Sequence, residues 1–221
     1  MVKIAVATNK NFFEKSLPIL LPTLLESGLN KTDVFIFNAG FDVASEEDYD
    51  GFTMYKLNHN SFEYSPLIDI VENKRSSEYW FLIHDTCKVG PNFKTLIHNI
   101  PENKPYKMAI KKFPSMSIGL YRYDYLLIME QQLLGIKNPN YDEHSLRTWK
   151  DWGVSHEDFI MYQHHPEPEI YPSDEEWSIG AKTNWYGETT WRREEYYPSV
   201  DLYKNKANWG QTHGLGMVIN L

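Results

Sequence analysis

The chain has 221 residues, 42% of them hydrophobic, and a formal net charge of −8. That length suits one large domain or two small ones, and the apolar content supplies a full core. The acidic balance excludes a chain that wraps nucleic acid or is drawn to an anionic membrane surface, since both need a basic face. A single cysteine, Cys87, leaves no internal disulfide and suits a reducing compartment.

Residues 3–8 predict a first strand and Asn9-Lys10-Asn11 the turn after it. The apolar stretch at the start is too short for a signal peptide, and no stretch has the length to span a bilayer. The expectation is therefore a cytoplasmic protein without a membrane span. From Phe12 to Ser27 apolar residues recur at helical spacing, with Gly28 as the stop; Pro18 and Pro22 predict a late start or a kink. Residues 33–40 and 52–57 predict two further strands. Between them Glu46-Glu47-Asp48-Tyr49-Asp50 reads as a solvated acidic loop, in spite of its Asp-x-Asp spelling. Residues 65–74, with Pro66 in the first turn, predict a helix.

The next segment carries the most information. Tyr79-Trp80-Phe81-Leu82-Ile83 is bulky and uncharged, as in a strand buried on both faces, and it runs into His84-Asp85-Thr86-Cys87 and a Gly90-Pro91 turn. Asp85 thus falls at the carboxyl end of a central strand. In an open α/β sheet that is the end where ligands bind. Beyond it the pattern gives a short helix over 93–97, strands over 106–110 and 117–122, and a helix over 124–134. Alternating elements of this kind predict an α/β fold with a mainly parallel sheet flanked by helices. The chain after residue 136 reads as an irregular layer of short strands over the sheet edge. It is rich in the rings that bring the aromatic content to 15%, a surplus that suits sugars, whose C–H faces stack on rings.

The N-terminal strand followed by Thr8-Asn9, the helix in the sixties, the strand ending in Asp85 and the later Gly119 strand together resemble the GT-A class of nucleotide-sugar glycosyltransferases. The likeness covers roughly residues 2–134. A more particular likeness is to the small glycosyltransferase domains encoded by large algal viruses. The resemblance implies a Rossmann-related GT-A-like fold in one domain over 1–221, with a nucleotide-binding half at 1–100 and an acceptor-side half with its tail at 101–221. It also implies transfer of a sugar from a UDP- or GDP-sugar to a hydroxyl of a glycan or protein-linked acceptor. A divalent cation, Mn²⁺ or Mg²⁺, would offset the charge of the diphosphate leaving group. Asp85 stands where that class carries its Asp-x-Asp metal motif, but Cys87 replaces the second acid, and a thiol suits a hard cation poorly.

By the same resemblance, Thr8, Asn9 and Asp85 would contact the nucleotide. The glycine-rich loop around His213 would add a metal ligand, with Gly214 letting backbone amides approach phosphate. Among Arg192, Arg193, Lys204 and Lys206, the last two are the candidates for the diphosphate, although a solvated face explains such cations as well. Glu157 and Asp158 resemble the acidic pair from which an inverting enzyme draws its general base; Asp142, Glu143 and Glu188 compete, and a retaining enzyme needs none of them. His164-His165 lacks the spacing of a zinc site. The main alternative is a carbohydrate-binding module without turnover, ahead of a phosphoesterase that would need a second metal cluster. The apolar ending over 217–221 suggests further domains in a longer polypeptide.

Overall fold

Apolar runs closed by turn residues become the central strands of a three-layer α/β arrangement. The computed structural model describes residues 1–99, 106–108, 118–138, 182–183, 189–190 and 195–204. In chain order these form β1 (Val2–Asn9), α1 (Phe13–Glu26), β2 (Val34–Ala39), β3 (Ser45–Tyr49), β4 (Phe52–Leu57), α2 (Ser65–Glu72), β5 (Tyr79–His84) and β6 (Cys87–Val89). Then come α3 (Phe93–His98), β7 (Tyr106–Met108), β8 (Gly119–Arg122), α4 (Tyr123–Ile128), α5 (Glu130–Gly135), β9 (Lys182–Thr183), β10 (Thr189–Thr190), β11 (Glu195–Tyr197) and β12 (Leu202–Lys204).

The main sheet runs β3-β4-β2-β1-β5-β8-β7. Its centre, β4, β2, β1 and β5, is parallel; β3 and β8 run against their neighbours. This is the mixed, mainly parallel sheet that the alternation predicts, and it is compatible with a Rossmann-like arrangement. Successive side chains alternate between faces, so each central strand must be apolar on both. On one face Leu17, Leu20 and Leu24 of α1 cover Ile4, Val6, Ile36, Phe81 and Ile83. On the other, Leu67, Ile70 and Val71 of α2 join Leu126 and Leu133 over Ala5, Phe37, Trp80 and Leu82.

Three elements differ from the sequence reading. The helix after β1 is continuous through Pro18 and Pro22. Both prolines are exposed and lie one turn apart, so the carbonyls they deprive of partners face water. The acidic stretch before β4 is a strand, β3, hydrogen-bonded along one edge only among the described residues; it is exposed as expected, and the Asp48 carboxylate accepts from the Gly51 N–H at 3.1 Å. The helix expected over 124–134 is split at Met129, whose N–H is shared between the carbonyls of Tyr125 and Leu126, so the chain turns without orphaning that donor.

Part of the described tail joins the α1 side of the core. β11, β12 and β6 form a separate sheet whose Tyr197 and Leu202 pack into the α1 side of the core. Gly90 ties it down. Its N–H donates to the Asp201 carbonyl at 2.7 Å, and the Asp201 carboxylate accepts from the Asn92 N–H at 3.0 Å and the Tyr196 hydroxyl at 3.3 Å. Among the described residues no helix is long and apolar enough to cross a membrane.

Candidate functional site

The sheet order creates a crevice beside β1. From β1 the chain leaves through α1 on one face to reach β2, whereas β5 is entered through α2 on the opposite face. At such a switch point the connections part and leave room outside the carboxyl ends of the strands. A hollow of about 230 Å³ lies there, lined by Thr8 and Asn9 from the end of β1 and by His84, Asp85 and Thr86 from the end of β5. Phe12 closes it on the α1 side, and Asn60, Phe62 and Glu63, which precede α2, form its other wall.

Asp85 prolongs the parallel ladder, its N–H donating to the Ala7 carbonyl at 3.0 Å. Its side chain is 9% exposed. Oδ2 accepts from the Thr8 hydroxyl at 2.6 Å and from the Ser16 hydroxyl, in the first turns of α1, at 2.8 Å. Burial pushes the carboxyl above the ordinary aspartate value, and it outweighs the opposing pull of the Thr8 and Ser16 hydroxyls and nearby backbone amides.

The far wall is held by backbone geometry. Asn60 Oδ1 accepts from the Phe62 N–H at 3.1 Å, and Phe62 adopts φ +49°, a left-handed conformation that a bulky residue keeps only when its surroundings hold it. The Asn60 N–H donates to the Asn138 carbonyl at 3.1 Å, and the Asn138 N–H donates to Ser61 Oγ at 2.8 Å. Ser61 Oγ in turn lies 3.2 Å from Nδ1 of His59. The wall is thereby clamped to the chain just beyond α5.

Of the residues expected from the sequence, the fold brings Thr8, Asn9 and Asp85 together in the hollow. Lys204 does not line it; it pairs with Cys87 in the small sheet, where its charge acts on the thiol. Lys206, His213, Gly214, Glu157 and Asp158 lie outside the described residues, as does the His164-His165 pair. The third position of Asp85-Thr86-Cys87 serves packing, since Cys87 is fully buried in the α1-side core and its thiol is pushed up to about 12, chiefly by burial. At neutral pH that thiol is no nucleophile. Sequence reasoning missed Phe12, Ser16, Asn60, Phe62 and Glu63. The position of Ser16 in the first turns of the helix after β1 was the one available signal, because that end of the helix faces the rim of the sheet.

The hollow contains the carboxylates of Asp85 and Glu63, and no Lys or Arg among the described residues lines it. A like charge about 4 Å from an ionised carboxylate there would be repelled by about 4 kcal/mol at an effective dielectric near 20. The described walls do not by themselves fit a divalent cation. No three His, Cys, Asp or Glu side chains among the described residues converge as ligands, and Oδ2 of Asp85 is engaged by two hydroxyls. No protein-family model matches the chain, and comparison with curated proteins gave no match.

Proposed function

We propose that this chain is a glycosyltransferase of GT-A-like architecture that binds a UDP- or GDP-sugar at the switch-point hollow and passes the sugar to an acceptor hydroxyl. One observation carries the reading: a buried carboxyl group, Asp85, held by Thr8 and Ser16, borders a hollow between the carboxyl ends of β1 and β5 that can take one part of a donor. The antiparallel Gly119 strand, β8, beside the Asp85 strand supports it further, being where the resemblance expects the acceptor side. In this reading Asp85 and Asn9 orient the donor and the rings at the rim exclude water from it. The described walls supply no ligand set for Mn²⁺ or Mg²⁺, so no step is assigned to a metal.

The test is a panel of nucleotide sugars with and without Mn²⁺, read by thermal unfolding and by sugar transfer to simple glycans. A donor at a hundred times its Kd adds about 2.7 kcal/mol, or roughly 5–11 °C for a chain of this size. No shift with any donor, in a folded sample, removes the proposal. Asp85→Ala is expected to abolish the shift and to cost about 1–3 kcal/mol, because Thr8 loses its buried acceptor. Asp85→Asn keeps one acceptor oxygen and is expected to hold its stability within about 1 kcal/mol while losing the shift. A carbohydrate-binding module without turnover is the second reading, favoured by the lack of a cation ligand set in the described walls. Glycan binding without transfer, unaffected by Asp85→Ala, decides for it.

A further inference from the structure

Two half-buried rings enter the hollow from opposite faces of the sheet, Phe12 ahead of α1 and Phe62 ahead of α2. Glu63 offers carboxylate acceptors, beside an Asp85 carboxyl that the Thr8 and Ser16 hydroxyls already engage. The side-chain oxygens of Asn9 and Asn60 are already turned to backbone amides, Asn11 N–H at 3.0 Å and Phe62 N–H at 3.1 Å, which leaves their NH₂ groups as donors. Donors, acceptors and apolar faces are all present, whereas no Lys or Arg among the described residues lines the space. A hydroxyl is both donor and acceptor and meets this set in full. Within the described walls a phosphate meets two acids and no Lys or Arg.

We infer that the hollow is a subsite for a neutral, polyhydroxylated ring and fills without a divalent cation. The ribose of a nucleoside and the pyranose of a saccharide share that chemistry; the nucleoside source rests on the function proposed above, and the saccharide source does not. About 230 Å³ accommodates one such group rather than a whole nucleotide sugar, since sites for drug-sized ligands run from roughly 300 to 1,000 Å³. The diphosphate of a bound donor therefore lies outside the described walls.

The experiment titrates the full chain, in EDTA and in a parallel series with Mn²⁺ and no chelator, with uridine, guanosine, glucose and inorganic pyrophosphate, followed by NMR or calorimetry. At least one ring probe is expected to saturate. Its Kd should change less than about twofold between 50 and 300 mM NaCl, because no ion pair is involved. Phe62→Ala should weaken it about tenfold or more through lost stacking. Glu63→Gln, which preserves shape, should weaken it about threefold and stands in if the phenylalanine variant fails to fold. Saturation by a nucleoside alone identifies the ribose source, and by glucose alone the saccharide source. Ring probes that bind only with Mn²⁺, pyrophosphate that displaces them, or affinities unmoved in both variants overturn the inference. If nucleotide sugars stabilise the chain while neither nucleoside nor glucose binds, the subsite falls and the transferase stands. If a ring probe binds but no nucleotide sugar does, the reverse holds.

Discussion

Gly90→Ala is expected to lower the unfolding free energy by about 3 kcal/mol or more and the thermal midpoint by roughly 6–12 °C. A Cβ built at Gly90 falls 2.2 to 2.3 Å from all three carboxyl atoms of Asp201. That carboxylate cannot swing aside cheaply, because it is 5% exposed and is held by the Asn92 amide and the Tyr196 hydroxyl. Moving it strands a buried charge as well as the amide it accepts from. Asp201 also sits at φ +51°, where glycine is less strained. Asp201→Gly alone should destabilise by loss of the Asn92 contact, yet combined with Gly90→Ala it should recover part of the loss. Urea unfolding of the two single variants and the double variant measures this coupling. Strict additivity, or a Gly90→Ala midpoint within about 2 °C of the parent, refutes the contact. The contact bears on the site, since Gly90 and Asp201 anchor β12 against β6 and so bring Lys204 opposite Cys87, two residues from Asp85.

The central strands were legible because each must be largely apolar on both faces, which leaves an apolar-rich run between turn residues, broken by Lys3 in β1 and by Thr53 and Lys56 in β4. That pattern marked β1, β2, β4 and β5 and placed Asp85 at a strand end. β3 gave no such signal. As an edge strand with four exposed residues it is held by one ladder and needs no apolar face, so Ser45-Glu46-Glu47-Asp48 reads as loop. The partners of Asp85 divide in the same way. Thr8 was visible as the end of its own strand, whereas Ser16 meets Asp85 across 69 residues of chain through the docking of α1, which spacing does not encode. The opposite wall depends on Phe62 holding a left-handed φ under the Asn60 turn, and neither residue type announces that conformation.

Acid is expected to unlock that wall through His59. The ring is 1% exposed, Nε2 has no hydrogen-bond partner among the described residues, and burial depresses the pKa to about 4, with Lys137 adding to the effect and Glu72 opposing it. Those two charged groups pair with each other at 2.6 and 2.8 Å. With the folded pKa below the unfolded one, the unfolded chain binds the proton more tightly between about pH 6.5 and 4. The stabilising contribution is therefore present above the unfolded value and lost as pH falls through that window, at a cost of about 3 kcal/mol between pH 7 and 4. Asp85 works in the opposite sense. Its raised pKa favours the fold below the ordinary aspartate value, and that contribution is lost as pH rises through the folded value. Total stability mixes the two, so the comparison that isolates His59 is parent against His59→Gln, by urea unfolding at pH 7 and pH 4. The parent should lose about 3 kcal/mol more than the variant on acidification. Because Ser61 links His59 to Asn138 and the wall carries Asn60, Phe62 and Glu63, whatever ligand the hollow takes should weaken in step with protonation of this one ring. A binding profile that falls equally in His59→Gln separates the ring from the wall.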